Sequence, residues 1–535
     1  MSELRLVPAA ATVWAVTLVA IMFGIQPGAL LVVAIALAAL ALRQPGHAML
    51  TAGLGACALA VTWARIVAAQ AYEIGHTVVG TISGTPREVT GGGWLVKLSV
   101  NGYPAAIPVF TETVPDGAAA GSLVEVSGQV GESSRPGVGT VVINGDVAVL
   151  GPPTGFAAWA GDVREKFAVA VENAVGEHAQ GLIPGMVLGD VSLQSATEQQ
   201  AYVDTGLSHL SAVSGANCMY VATSALLAAR MMRAGLRVQL VAAGCALLVY
   251  AGLVGPEPSV LRASVSGLVG FVAVISSTRA EPIHALCLSV IGLVLVDSDL
   301  AVDFAFALSV AATAGIVAVS PLFYRMLAPL GWPDILNRAL SVALAADLAT
   351  APIIAGMVGR VSVVSVIANV VVSPVTGAVT VLGMAAAILA QIHSALAAPV
   401  LWFVAPMAGW IRTVAEIGAG LPGATARAAP LVVVVCYGWI IAGFWARRPR
   451  LTVACGAVVL TIAVAGGTTN SPGWHDPGDV DAEQAHVVNT EEDVEPVPPG
   501  TTLVVVLDRE AGQQSRPVFT RSGIPVIYTG REGIQ

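Results

Sequence analysis

The side chains with the most chemical content lie in one short run, Thr205-Gly206-Leu207-Ser208-His209-Leu210-Ser211-Ala212-Val213-Ser214-Gly215-Ala216-Asn217, within otherwise apolar sequence. At about 100° per residue, a helix through this run gathers Ser208, Ser211, Ser214, Gly215 and Cys218 within an arc of roughly 120°, with Asn217 on its flank. A small polar helix face either packs closely on another helix or lines an aqueous path. His209 falls roughly 160° from Ser211 on that wheel, so either it serves another contact or the helix breaks near Gly206. Arg262 opens a second apolar stretch after Gly255-Pro256-Glu257-Pro258. An arginine at such depth either snorkels to the interface or faces a polar cavity. Asp190, Asp303 and Asp347 are the carboxylates nearest to membrane depth, each either a boundary residue or part of a polar path. Asn369, ahead of Pro374, suggests a broken or re-entrant helix, which hydrocarbon tolerates where it lines a cavity.

Covalent chemistry has less support. Ser214-Gly215 with a histidine from another helix would suit an intramembrane serine hydrolase. Against this, Ala212-Val213-Ser214-Gly215 lacks the first glycine of a GxSG turn, and His209 cannot reach Ser214 along one regular helix. The chain has two lysines, Lys97 and Lys166, and neither follows the glycine pattern of a P-loop, so ATP hydrolysis by that route is excluded. The eight histidines show no metal-ligand spacing. The six cysteines lie in apolar runs without CxxC and read as buried packing residues. No cofactor, no metal and no enzymatic activity are expected.

The elements that must position these residues follow from composition. Hydrophobic residues are 56% of 535 positions and charged residues 11%, less than half the charged share of an ordinary soluble domain. The expected fold is a polytopic α-helical membrane protein with roughly thirteen spans and a small extracytoplasmic OB-like β-domain. Residues 1–71 supply three apolar helices, near 7–24, 28–43 and 50–70. Residues 72–152 change to short alternating runs (Trp94–Val100, Ala105–Phe110, Leu123–Val130, Thr140–Ile143) and form the β-domain. In residues 153–180, Asp162, Arg164, Glu165, Lys166, Glu172 and Glu177 recur at helical spacing among apolar residues, as in an interfacial amphipathic helix. Residues 181–467 hold the remaining spans, from 207–229 to 451–467. Residues 468–535 begin with an acidic stretch; Gly466–Pro499 reads as a disordered linker, followed by strands at Thr501–Leu507 and Ile524–Tyr528. Basic side chains gather in short loops at Arg230, Arg233 and Arg237 and at Arg447, Arg448 and Arg450. The positive-inside rule therefore puts the N-terminus in the cytoplasm and the tail outside.

Gly185-Met186-Val187-Leu188-Gly189-Asp190, followed by the Thr205–Asn217 run, resembles the ComEC family of competence proteins. Further agreement lies in Pro258-Ser259-Val260-Leu261-Arg262-Ala263, in Phe304-Ala305-Phe306-Ala307-Leu308-Ser309, and in Ala351-Pro352 followed by Asn369 and Pro374. The ordered matches span about 185–383, and the β-domain sits where that family has its OB-like domain. The resemblance implies a channel in the bacterial cytoplasmic membrane that passes single-stranded DNA inward. Its path would be lined by Asp190, Ser208, His209, Ser211, Ser214, Gly215, Asn217, Arg262 and Asn369. It further implies a cytoplasmic helicase and a separate extracytoplasmic nuclease as partners, because no metallo-β-lactamase-like metal cluster is present in the sequence. It is compatible with a homo-oligomer. Two features depart from the family. Asn217 stands where histidine is frequent, and the β-domain is acidic with few aromatics (Tyr72, Trp94, Tyr103, Phe110), unlike single-strand binders with basic grooves and stacking platforms. The alternative is a transporter of another anionic substrate.

Overall fold

Proline and glycine set the ends of the first three helices, α1 (Val7–Phe23), α2 (Ile25–Ala41) and α3 (Pro45–Gln70). Gly24, at φ 99°, separates α1 from α2. Pro27 and Pro45 lie in first turns, where a missing N–H leaves no bond unmade. The computed structural model describes residues 4–466 apart from 76, 90–92, 116, 134, 277–280 and 447, together with four strands of the tail.

Six strands follow: β1 (Thr77–Ile82), β2 (Arg87–Glu88), β3 (Trp94–Ser99), β4 (Ala106–Thr111), β5 (Leu123–Glu132) and β6 (Val141–Gly151). Their order is β1-β5-β6-β4-β3-β2, and β1 also pairs with β3, which closes five strands into a barrel with β2 flanking it. The β4–β6 pair is parallel and the others are antiparallel. Alternate residues fill the interior, among them Val78, Ile82, Val96, Leu98, Ile107, Val109, Val124, Val126 and Ile143. Gly128 and Gly145 lie opposite each other on β5 and β6. A Cβ on either would come within 2.3 Å of the facing backbone, so the barrel can bend here only with glycine.

The expected amphipathic stretch forms α4 (Gly155–Ala174) and α5 (Glu177–Gln180). Helix α4 buries Ala160, Val163, Phe167, Ala170 and Val171, and leaves the Lys166–Asp162 pair exposed. Next come α6 (Leu182–Leu188), buried throughout, and α7 (Ala196–Asp204). The bundle continues with α8 (Gly215–Met231), α9 (Leu236–Val254), α10 (Pro258–Ile275), α11 (Pro282–Val296), α12 (Phe304–Leu327) and α13 (Asp334–Val358). A strand β7 (Arg360–Ser362) leads to α14 (Ser365–Ala390) and α15 (Ser394–Ala419). Then β8 (Thr425–Arg427), α16 (Pro430–Trp445) and α17 (Pro449–Gly466) complete it. Among the described residues, eight helices are long and apolar enough to cross a membrane, and five shorter helices are also apolar. Large apolar side chains such as Leu30, Met49, Trp402 and Phe403 point outward, as a bilayer solvent allows. The cysteine expectation needs correction: Cys218 and Cys287 are buried, but Cys57, Cys245, Cys436 and Cys455 lie on the outer surfaces of apolar helices. An apolar run carries no periodic signal to tell a lipid-facing thiol from a packed one.

A few polar contacts seat the barrel on one end of the bundle. Arg65, near the end of α3, donates to Pro104 O (2.7 Å) and pairs with Asp297 (2.9 Å) and Asp299 (3.5 Å) in the α11–α12 connection. Asp299 accepts the N–H of Val138, in the barrel's β5–β6 loop, at 2.6 Å. Burial pushes the Asp299 carboxyl above its ordinary range, against the opposing pull of the Val138 N–H and Arg65. Arg87 on β2 pairs with Glu257 between α9 and α10 (2.8 Å). The opposite end of the bundle carries Arg43, Arg230, Arg233, Arg237, Arg325 and Arg338.

The tail forms a second unit. Strands β9 (Ala485–Val488), β10 (Leu503–Val506), β11 (Val518–Phe519) and β12 (Pro525–Tyr528) order as β11-β12-β10-β9. β10 is parallel to both neighbours, and β11 is antiparallel to β12. The expected strands thus coincide with β10 and β12, and Pro525 takes the first strand position, where no ladder bond is lost. β9 corrects the reading of Gly466–Pro499 as structureless; the rest of that linker, His475 included, lies outside the described residues.

Candidate functional site

The Thr205–Asn217 run is not one helix. Helix α7 ends at Asp204, Gly206 turns the chain at φ 69°, Ser208–Leu210 make one 3-10 turn, and Ser214 is extended before α8 starts at Gly215. The expected wheel of Ser208, Ser211, Ser214, Gly215 and Cys218 therefore does not form. The cause is local: the Thr205 hydroxyl bonds back to Ala201 O (2.7 Å) and the Ser211 hydroxyl to Ser208 O (2.8 Å), where serine and threonine compete with helical backbone bonding. A Cβ at Gly206 would lie 2.4 Å from Ser365 Oγ, so glycine is needed for space as well as for φ. Ser208 and His209 end up exposed, Ser211 and Ser214 half-buried, and Asn217 buried.

Asn217 is the hub of a buried network. Its Nδ2 donates to Met186 O (2.6 Å), and its Oδ1 accepts from Ser214 Oγ (3.0 Å) and Thr380 Oγ1 (3.5 Å). Tyr250 on α9 donates to Val187 O (2.8 Å). Met186 and Val187 belong to the last turn of α6, whose carbonyls have no helical partner. Side chains from α8 and α9 thus satisfy the end of a short helix inside the bundle. The Ser214 hydroxyl is directed to this amide, which is not the environment of an activated nucleophile.

Arg262 lies beside this network. It is buried, donates from Nε to Ser309 Oγ (2.8 Å), and among the described residues has no carboxylate within salt-bridge distance. A Cβ added at Gly215 would come 3.0 Å from its Nη2, so glycine lets α8 approach the guanidinium closely. Ser259 ties the same turn of α10 to Val213 O (2.9 Å). Arg262 therefore does not snorkel. It is a cation held inside the bundle by a neutral hydroxyl, an arrangement with a large desolvation cost unless an anion arrives.

The remaining residues form a second group and a rim. Asp347 on α13 accepts from Ser365 Oγ (3.0 Å) and from the Tyr437 hydroxyl. Asn369 donates to Ser365 O (3.0 Å) and Gly206 O (3.4 Å). Helix α14 is continuous through Pro374, which corrects the broken-helix expectation, but it starts beside the middle of α13 rather than beside its end. Asp190 is a turn residue, accepting from Ser192 N (3.0 Å), and Asp303 caps α12 through Phe306 N (2.8 Å). The nominated residues thus divide: Ser214, Gly215, Asn217 and Arg262 come together, Asn369 joins Gly206 directly and Asp347 through Ser365, Asp190 and Ser211 bond within their own turns, and Ser208 and His209 are exposed. Thr380, Tyr250 and Tyr437 were missed by sequence reasoning, each a lone hydroxyl in an apolar run, and Ser309 was noted only as the end of the Phe304–Ser309 run and given no role in the path.

Residues 186–450 match the family model described as Competence protein. Comparison with curated proteins and with solved structures finds no match. The matched range starts at Met186, whose carbonyl Asn217 holds, and contains both polar groups. With its membrane-capable helices, this chain is a multi-pass cytoplasmic-membrane protein. Through residues 186–450 it belongs to the competence-protein family, in agreement with the ComEC resemblance.

Proposed function

We propose that the bundle passes single-stranded DNA across the cytoplasmic membrane, within the role in DNA uptake that the competence family carries. The observation that supports this most is Arg262: a buried guanidinium without a carboxylate, beside Gly215 and the Asn217 network, suits transient neutralisation by a phosphodiester. Ser208 and His209 form the accessible margin of the path, with Asp190 and Ser211 beside them. Asn217 and Arg262 are buried in this conformation, so passage requires α8 to part from α10 and α14. Gly215 and Gly377 mark the close contacts that would open, the latter against the Tyr220 hydroxyl.

Several features fit this reading. Eight long and five shorter apolar helices match roughly thirteen spans. The basic end of the bundle faces the cytoplasm by the positive-inside rule, which leaves the barrel outside and the N-terminus inside. The barrel's strand order, with its one parallel pair, is that of an OB fold. Its β5–β6 loop is engaged at Asp299, and Tyr72 and Tyr103 pack on each other (5.6 Å), so the barrel organises the entrance rather than stacking bases. On this reading a cytoplasmic helicase drives directed movement, and a separate extracytoplasmic nuclease degrades the strand that does not enter.

Replacing Gly215 by Leu or Arg262 by Leu, and following uptake of labelled DNA by cells with matched protein levels, tests the path. Uptake falling on the order of a hundredfold is expected, the worth of about one strong charged contact. Unchanged uptake in both variants rejects these positions as its lining.

A further inference from the structure

The strands β7 and β8 form a two-stranded antiparallel ribbon of three residues each, in which Arg360 lies directly opposite Arg427. Both side chains are exposed, and among the described residues neither has a carboxylate within salt-bridge distance. Like charges directly opposite disfavour strand pairing, and so short a ribbon has few ladder bonds to offset them. Arg360 Nη2 is steadied by Thr425 Oγ1 across the ribbon (3.1 Å).

The position is as unusual as the pairing. The ribbon extends from the end of α13 and the start of α16, tied by Ala428 N to Gly359 O (3.1 Å). Helix α12 begins at the barrel end and α13 returns to it. Arg360 and Arg427 therefore stand at the barrel end, whereas the basic loops of the bundle gather at the other. From the ribbon the chain leads inward: Val363 N bonds Ala424 O (2.8 Å), Val364 and Thr205 meet at Gly418, and Ser365 meets Gly206. The ribbon is thus continuous with the polar segment that carries Ser208 and His209.

We propose that the β7–β8 ribbon is a phosphate receptor for an incoming single-stranded nucleic acid, with Arg360 and Arg427 as its paired ligands. This rests on the channel reading above. Two adjacent guanidinia, each able to bind phosphate through two N–H groups, relieve their mutual repulsion when a polyanion bridges them. Lipid headgroups share the phosphate chemistry. The nucleic acid is favoured because the ribbon leads to Gly206 and the exposed Ser208 and His209 rather than to an apolar outer helix face.

The test uses the full chain in nanodiscs of zwitterionic lipid, with a fluorescent oligothymidylate as the probe and binding followed against salt. Each phosphate neutralised on a single strand contributes about 0.7 to the slope of log affinity against log salt. R360Q/R427Q is expected to reduce the slope by about 1.4, and R360K/R427K, which keeps both charges, to retain most of it. Equal slopes in the wild type and the Gln pair overturn the ribbon while leaving the channel reading in place. No binding by the wild-type protein overturns both. A difference that emerges only in discs containing anionic lipid overturns the nucleic-acid assignment in favour of headgroups.

Discussion

The junction under the barrel and the interior of the bundle each hold one arginine on an apolar helix, and their surroundings differ. Arg65 meets two carboxylates and a carbonyl. Arg262 meets a serine hydroxyl, and among the described residues no carboxylate reaches it. A cation paired with carboxylates is finished structurally, since its field is cancelled where it sits. A cation held only by a neutral dipole keeps its field for something else. The same side chain thus forms an ion-paired clamp in one region and, among the described residues, stays without a carboxylate in the other.

Giving Arg262 what Arg65 already has should have the largest effect. Ser309→Asp would place a carboxylate at the hydroxyl that now accepts from Nε. DNA uptake is expected to fall about ten- to hundredfold, the range of one charged hydrogen bond denied to phosphate, while the protein folds and inserts at the normal level. Uptake equal to wild type, with insertion confirmed, would mean that the uncompensated charge is incidental and that the two arginines do not differ in role.

The converse change is smaller. Arg65→Ala removes the clamp and leaves Asp297 and Asp299 without a cation. Because all three side chains keep some solvent access, the loss should be about 1–2 kcal/mol, below that for a fully buried pair. Faster hydrogen exchange in the Gly137–Thr140 loop would report it, with uptake per folded molecule changing less than about twofold. A collapse of uptake matching that of the Arg262 variants would show the junction to be part of the path.

This contrast also explains what could be read in advance. The spans were legible because hydrocarbon demands long apolar runs, and the barrel because inward residues alternate. Strand β1 was missed because Gly80 interrupts the alternation, although Gly80 is needed there: a Cβ would lie 2.6 Å from Ser99 O. The second half of β6 was lost at Asn144-Gly145-Asp146 for a similar reason. Within the site, residue types marked Ser214, Asn217 and Arg262 as polar groups in apolar sequence, but most of their partners lie far along the chain. Ser309, Thr380 and Met186 carry no local signal that pairs them with α8 or α10. The helical wheel failed because glycine and hydroxyl bonding broke the helix within one turn. The β7–β8 ribbon, at three residues per strand, is too short to show any period.

The smallest effect should come from pH at the junction. Burial raises the Asp299 carboxyl, so the folded protein binds its proton more tightly than the unfolded chain does. For a carboxyl raised in this way, the stabilising contribution is complete below the ordinary carboxylate range, near about 3.9. It is lost as pH rises through the elevated folded value. Acidification from neutral pH toward that range should therefore raise the melting temperature of the wild type relative to Asp299→Asn, which has no proton to gain. The gain is modest because the Val138 N–H and the charge of Arg65 oppose the shift. A melting difference that stays flat, or that shrinks in acid, would place the ionised carboxylate at ease beside Arg65. The junction would then be a simple ion pair, and its contrast with Arg262 would be sharper still.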